Sequence, residues 1–251
     1  MAEQNYQRVD SRSVDANNIA RYARIAGLLY LVIIVIGLVG ETVIRNSLVV
    51  SGDAAATAQR ILASQMLWRV GVAAQLVLLL CAVPLSVIWY VLLRPVHKHL
   101  ALLFLCFGLV SLAVESVSAL YLQATLAPLS AAEHLKVVDL PQLYTLVYLS
   151  VVSHTYAFAV ALIFFGVECL IVGHLMIKSG FFPKALGVMM QIAGLCYLVY
   201  CFSLILSPAL SSFLFPVILL PTLIGESAFC LWLLVKGVDV AAWERKSALS
   251  R

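Results

Sequence analysis

Polar and charged residues gather in short runs along this chain. Between them lie six apolar stretches, at about Tyr22–Ile44, Leu67–Leu93, Leu100–Leu126, Val151–Ile177, Ala185–Leu206 and Phe213–Val235. A helix rises about 1.5 Å per residue, so roughly 20 apolar residues cross about 30 Å of hydrocarbon, and each stretch is long enough. The pattern predicts an all-α fold, a polytopic membrane bundle of six transmembrane helices.

The connections carry their own signals. In Asn46–Gln65, Gly52-Asp53 precedes Ala54-Ala55-Ala56-Thr57-Ala58, which reads as an N-cap and a short helix. Ile61, Leu62 and Met66 fall at helical spacing. This short amphipathic helix is therefore expected on the outer membrane surface or over the end of the bundle. Pro128–Pro141 is bounded by prolines and carries Glu133, Lys136 and Asp139, while Ser207–Ser212 reads as a tight turn. After Pro141 the chain runs to Lys178 with only His154, Glu168 and His174 as charged or histidine side chains, further than one span needs. Gln142–Ser150, with Tyr144 and Tyr148 as interfacial anchors, is expected to lie along the membrane surface before the fourth helix begins.

Composition agrees: 63% hydrophobic and 11% charged residues belong to a membrane protein, not a soluble fold. In 251 residues there is no room for a soluble domain. The expected organisation is a tail over 1–21, a transmembrane domain over 22–236 and a second tail over 237–251. A net charge of +4 does not indicate nucleic-acid binding. The placement of the basic residues says more. The two tails and the second and fourth connections hold Arg8, Arg12, Arg21, Arg24, Arg94, Lys98, Lys178, Lys184, Lys236, Arg245, Lys246 and Arg251. The opposite side holds Arg45, Arg60, Arg69 and Lys136, twelve against four of the sixteen. The positive-inside rule puts both termini in the cytoplasm. The first stretch is longer than the apolar region of a signal peptide, and no clean cleavage site follows, so it reads as a retained helix. All six cysteines lie in apolar stretches without CxxC spacing and read as packing residues.

An internal echo runs through the chain. Ile25-Ala26-Gly27-Leu28-Leu29-Tyr30-Leu31-Val32 differs at one position from Ile192-Ala193-Gly194-Leu195-Cys196-Tyr197-Leu198-Val199, and Tyr90–Val96 resembles Trp232–Val238. Both pairs run in the same direction through the membrane, as in a parallel hairpin repeat.

Ionisable groups inside a span are costly and are functional candidates by default. Glu115, Glu168 and Glu226 each lie within about 6 Å of the centre of their stretch, so they could share one slab of the bilayer. Ser111, Glu115 and Ser118 share a helix face by their four- and three-residue spacing, a polar stripe expected to face the interior. Together these five residues outline a pathway for a small ligand or a proton. A second group sits at the outer boundary: Glu41 and Arg45, four apart and able to pair, with Arg69 and His154. Arg69 is expected to pair with Glu41 or hold an anionic ligand. The competing reading is that the glutamates hydrogen-bond across helices as glue and the arginines anchor the interface. His97, His99 and His174 sit near the inner headgroups. His-x-His without a third ligand indicates no metal. There is no phosphate-cradling glycine loop, HExxH, GxSxG or CxxC, so no cofactor is expected and the common enzyme classes find no foothold.

Several segments together resemble a bacterial multi-pass membrane family catalogued as domain of unknown function, family 4386. They are Arg24–Leu31, Gly52-Asp53-Ala54, Leu92-Leu93-Arg94-Pro95-Val96, Phe164-Phe165-Gly166, Ser179-Gly180-Phe181-Phe182-Pro183-Lys184, Gly225-Glu226 and Leu231-Trp232-Leu233-Leu234. The resemblance covers about Ala23–Val238 and implies a protein of the bacterial cytoplasmic (inner) membrane, with the lipid bilayer as its surroundings. It implies no activity, because the family has none assigned. Two functions stay open: binding or translocation of a small molecule, lipid or proton through a carboxylate-lined interior, or a non-catalytic partner or signalling subunit whose glutamates fix helix packing.

Overall fold

The computed structural model describes residues 2–128 and 139–249, with side chains described from residue 17 onward. The chain is an all-α polytopic bundle, with no strand among the described residues. The helices are α1 (Ala2–Val39), α2 (Ala54–Ala63), α3 (Gln65–Leu93), α4 (Lys98–Ala124), α5 (Leu140–Ser179), α6 (Lys184–Leu206), α7 (Pro208–Leu214), α8 (Leu220–Val235) and α9 (Val240–Leu249). Among the described residues six segments are long and apolar enough to cross a membrane: Asn17–Leu48, Gln65–Leu93, Lys98–Ala124, Leu140–Ser179, Lys184–Leu206 and Val217–Val235. Large apolar side chains on them are bare, Leu80 at 74% and Leu206 at 78% among them. In water such a surface would drive association, whereas in a bilayer it is the lipid-facing side.

Three expectations are corrected. The fourth span is one continuous 40-residue helix from Leu140, and Gln142–Ser150 is part of it. Its first half is held in place by Leu143, Val147 and Val151, buried at intervals of four. That stripe continues the helix inward where interfacial anchoring was expected, and Tyr148 instead accepts a 2.7 Å hydrogen bond from Gly52 N. The connection after α6 is not a tight turn, because Ser207 and Pro208 start the seven-residue α7 before a 3₁₀ turn at Val217–Leu219. Proline at the first position suits a helix start. As a result the last span begins at Val217 and not at Phe213. The connection carrying Glu133 and Lys136 lies outside the described residues.

The chain forms two compact units. One comprises Met1–Leu31, Val83–Leu109 and Ile163–Arg251. Its core is aromatic: Trp89 and Phe229 lie 4.3 Å apart by ring centroid, with Phe182 and Tyr30 edge-on to Phe229 at 5.9 and 6.1 Å. The turn from α5 to α6 explains the Ser-Gly-Phe-Phe-Pro motif. Gly180 takes φ +77°, the left-handed conformation that ends a helix. Ser179 Oγ accepts from the backbone N–H groups of Phe181 and Phe182 at 3.3 and 3.1 Å. The two helices then run so close that a Cβ on Gly173 or Gly194 would meet the carbonyl oxygen of Gly187 or Gly166 at 2.5 Å. Helices in lipid gain by this, since small residues let backbones approach. The C-terminal segment is not a loose tail: Asp239 caps α9, and Trp243 is buried with Nε1 donating to Leu92 O at 2.9 Å.

The other unit comprises Val32–Ala82 and Val110–Leu162. As expected, Asp53 caps α2, accepting from Ala56 N at 2.8 Å. Thr57, Ala58 and Ile61 form the buried face of α2, and Ala58 and Ile61 pack into a cluster with Ile44, Leu48, Trp68, Leu122, Val147 and Val151. Leu62 and Met66 are exposed. Trp68 Nε1 donates to Leu122 O at 3.0 Å, so a polar atom in this apolar cluster is satisfied.

Candidate functional site

Two polar sites emerge, one in each unit. In the first, α5 presents Glu168 and α8 presents Glu226. Glu168 is buried and lies flat against α4, where Gly108 has no side chain: a Cβ there would sit 2.6 Å from Glu168 Oε1. Glu168 interacts electrostatically with Glu226, and Cys169 lies near enough to interact with both. Glu226 accepts a 2.6 Å hydrogen bond from the Tyr197 hydroxyl of α6 and a second from Tyr30 of α1. Neither glutamate has an ion-pair partner among the described residues. The tyrosines were not singled out in the sequence, yet they occupy the same position in the two copies of the internal echo. Each copy therefore delivers one hydroxyl to the same carboxylate.

The second site begins where α1 widens into a π-helical turn at Gly40–Arg45, in which Asn46 N bonds back five residues to Glu41 O. Such turns are rare and recur at functional sites. Arg45 forms an ion pair with Glu41, as their spacing suggested, and also donates through Nη1 to His154 Nε2. Its guanidinium stands 5.9 Å over the ring of Phe158, on which His154 stacks at 5.8 Å. Because arginine only donates, Nε2 must accept and the imidazole proton sits on Nδ1, 2.6 Å from Ser118 Oγ. Ser118 Oγ in turn donates to the backbone oxygen of His154 at 3.3 Å. A serine and a histidine at this distance have the spacing of a nucleophile and its base. Here, however, Ser118 is fully buried, His154 is 2% exposed, and the far ring nitrogen is occupied by a cation. The contact fixes α4 to α5 and offers no approach to a substrate.

The remaining candidates divide. Ser111 donates to Ala161 O at 2.9 Å and is buried against α5. Glu115 turns to α3 and accepts from Gln75 Nε2 at 2.6 Å. The stripe of Ser111, Glu115 and Ser118 thus splits between two neighbours. Of the three carboxylates, Glu168 and Glu226 belong to the first unit, and Glu115 belongs to the second and pairs there with Gln75. Arg69 is exposed and makes no ion pair among the described residues. Trp68 takes the inward direction on that turn of α3, and one residue of helical rotation carries Arg69 away from Glu41. Gln75 escaped notice because it carries no charge. His97 is exposed just before α4 and His99 is exposed in its first turn, with His97 Nδ1 accepting from Leu100 N at 3.2 Å. No group of three metal-binding side chains is present among the described residues.

A family described as "Domain of unknown function (DUF4386)" matches residues 25–237. A protein of Archaeoglobus fulgidus, described as "Uncharacterized protein", is 31% identical over 156 residues, which cover 62% of this chain and 76% of that protein. No solved structure matches the chain.

Proposed function

The chain belongs to the DUF4386 family, and we propose that this multi-pass membrane protein binds a proton, or a small cationic ligand in its place, between Glu168 and Glu226. One observation carries the reading: two intramembrane carboxylates interact with each other and neither has a cationic partner among the described residues. Two like charges repel more strongly in a low-dielectric interior than in water. A proton or a cation bound between them relieves that repulsion, and the hydroxyls of Tyr30 and Tyr197 hold Glu226 in place for it. The basic asymmetry of twelve to four supports a cytoplasmic-membrane orientation with both termini inside, and with it the division into tails over 1–21 and 237–251 around a membrane domain over 22–236.

Carboxyl infrared difference spectroscopy from about pH 5 to 9 tests this, because that range brackets the behaviour of buried carboxyl groups. A protonated-carboxyl band should rise and fall across the range, and Glu168→Gln or Glu226→Gln should remove it while leaving the fold intact. The rival function, glutamates that only fix packing, is supported by the two tyrosine bonds that tie α1 and α6 to α8. It predicts no band change, unaffected Gln variants and a destabilised Glu226→Leu. That outcome would end the ligand reading.

A further inference from the structure

Beside Arg45 lies a cavity of ≈ 20 Å³ lined by Gly40, Ile44, Arg45, Trp68, Gly71, Val72, Gln75 and Leu122. It has room for about one water molecule. Most of the wall is apolar, and Trp68 Nε1 is already bonded to Leu122 O. The polar groups left to the cavity are Arg45 and Gln75. Arg45 spends its terminal nitrogens on Glu41 and His154, but Nε is buried and has no hydrogen-bond partner. A buried donor without a partner costs about 1–3 kcal/mol, and more when it belongs to a charged group. Gln75 gives Nε2 to Glu115 and keeps its side-chain oxygen as an acceptor. The same two cavity-lining residues thus hold one unpartnered donor, Arg45 Nε, and one spare acceptor, the Gln75 side-chain oxygen, beside a space the size of one water.

We infer that this cavity is a binding site for a single ordered water, which accepts from Arg45 Nε and donates to the side-chain oxygen of Gln75. The bound water joins two groups that are separate in the protein alone. One is the outer cluster of Glu41, Arg45, His154 and Ser118, and the other is the Gln75–Glu115 pair. A continuous hydrogen-bonded chain then runs from Glu41 through Arg45, the water and Gln75 to Glu115. Arg45 also interacts electrostatically with Glu115, so one cation is shared between two carboxylates within this unit. The π-helical turn contributes directly: Gly40 lines the cavity, and a Cβ there would meet nothing within 4 Å.

The test uses the full-length protein in detergent or nanodiscs. A structure at a resolution that shows ordered water should place one within hydrogen-bonding distance of both Arg45 Nε and Gln75, and the same density should be missing in Gln75→Met. A dry cavity, an acyl chain in it, or Nε bonded to another protein group would overturn the proposal. In solution, Arg45→Lys keeps the charge and removes Nε, while Gln75→Met keeps the volume and removes the amide. The double variant should lose less thermal stability than the two single losses combined, because either change alone already frees the water. The same shortfall should persist in a Glu115→Gln background, where the direct attraction between Arg45 and Glu115 is gone. Strict additivity, or a coupling that vanishes with Glu115→Gln, would show that no water bridges the two side chains.

Discussion

Gly173→Ala adds one methyl group to α5, and the surroundings fix its effect. The new Cβ would stand 2.5 Å from the backbone oxygen of Gly187, about 0.9 Å inside the 3.4 Å at which ordinary contact begins. The obstacle is backbone, so no rotamer change relieves it. The facing glycine is no freer, since a Cβ on Gly187 would meet Gly173 O at 2.6 Å. The two helices must separate, and Gly166 and Gly194, one heptad away on each, form a second contact of the same kind. Overpacking of this sort costs about 1–3 kcal/mol, and the upper end applies where backbone meets backbone. Alanine's better helix propensity returns about 1 kcal/mol. The net loss of about 2 kcal/mol corresponds to a drop of about 4–8 °C in Tm for a chain of this size. Gly37→Ala is the control, because its Cβ meets only Leu78 Cδ1 at 4.0 Å and should raise Tm by about 1–4 °C. Thermal unfolding in one detergent, followed by loss of the monodisperse species, measures both. If Gly173→Ala is as stable as the parent, or moves with Gly37→Ala, the close helix contact is not what holds α5 to α6.

Arg45→Ala should lower stability by about 1–3 kcal/mol, short of a fully buried pair because Glu41 is 45% exposed, and Arg69→Ala should stay within about 0.5 kcal/mol. Equal melting shifts for the two would refute the cluster as described. Trp243→Ala should undock α9 and speed tryptic cleavage at Arg245 and Lys246, whereas Trp243→Phe, losing one hydrogen bond worth about 1 kcal/mol, should stay largely protected. Single cysteines at Ser47 and Ser130, in a background without the native six, should react with an impermeant thiol reagent in intact cells, and one at Ser247 only after lysis. Labelling of Ser247 in intact cells would reverse the orientation.

The spans and the capped helix α2 were legible because length, apolar runs and an Asp N-cap are local signals. The start of α5 was not. Val147 reads equally well as part of a surface segment until it is seen in one buried cluster with Trp68, Leu122 and Ile61. The same holds at the sites. Glu41 and Arg45 pair by sequence spacing alone, but His154 joins them from 109 residues away. Arg69 was placed with them because charge and depth agreed, and a single residue of helical phase decided otherwise. Glu168 and Glu226 stood out as charges, while the tyrosines serving Glu226 were hidden as ordinary members of apolar runs. The heptad spacing of Gly166 and Gly173, matched by Gly187 and Gly194, becomes a signal of close helix contact only once α5 and α6 are seen side by side.

The connection through α7 bears on how the chain reaches the bilayer. From Ala185 to Val235 the only residue carrying a formal charge is Glu226, and the segment between α6 and α8 contains none. Passing that segment across a membrane moves no charged side chain through hydrocarbon, whereas each Asp, Lys or Arg at a helix centre adds roughly 2.5–3.5 kcal/mol to insertion. The last two spans can therefore enter as one hairpin, with Lys184 and Lys236 left together on the side from which it came. Every earlier hairpin must carry arginine, lysine or aspartate in its connecting segment. Integration of this hairpin is thus less dependent than that of the earlier ones on the voltage or machinery that moves charge.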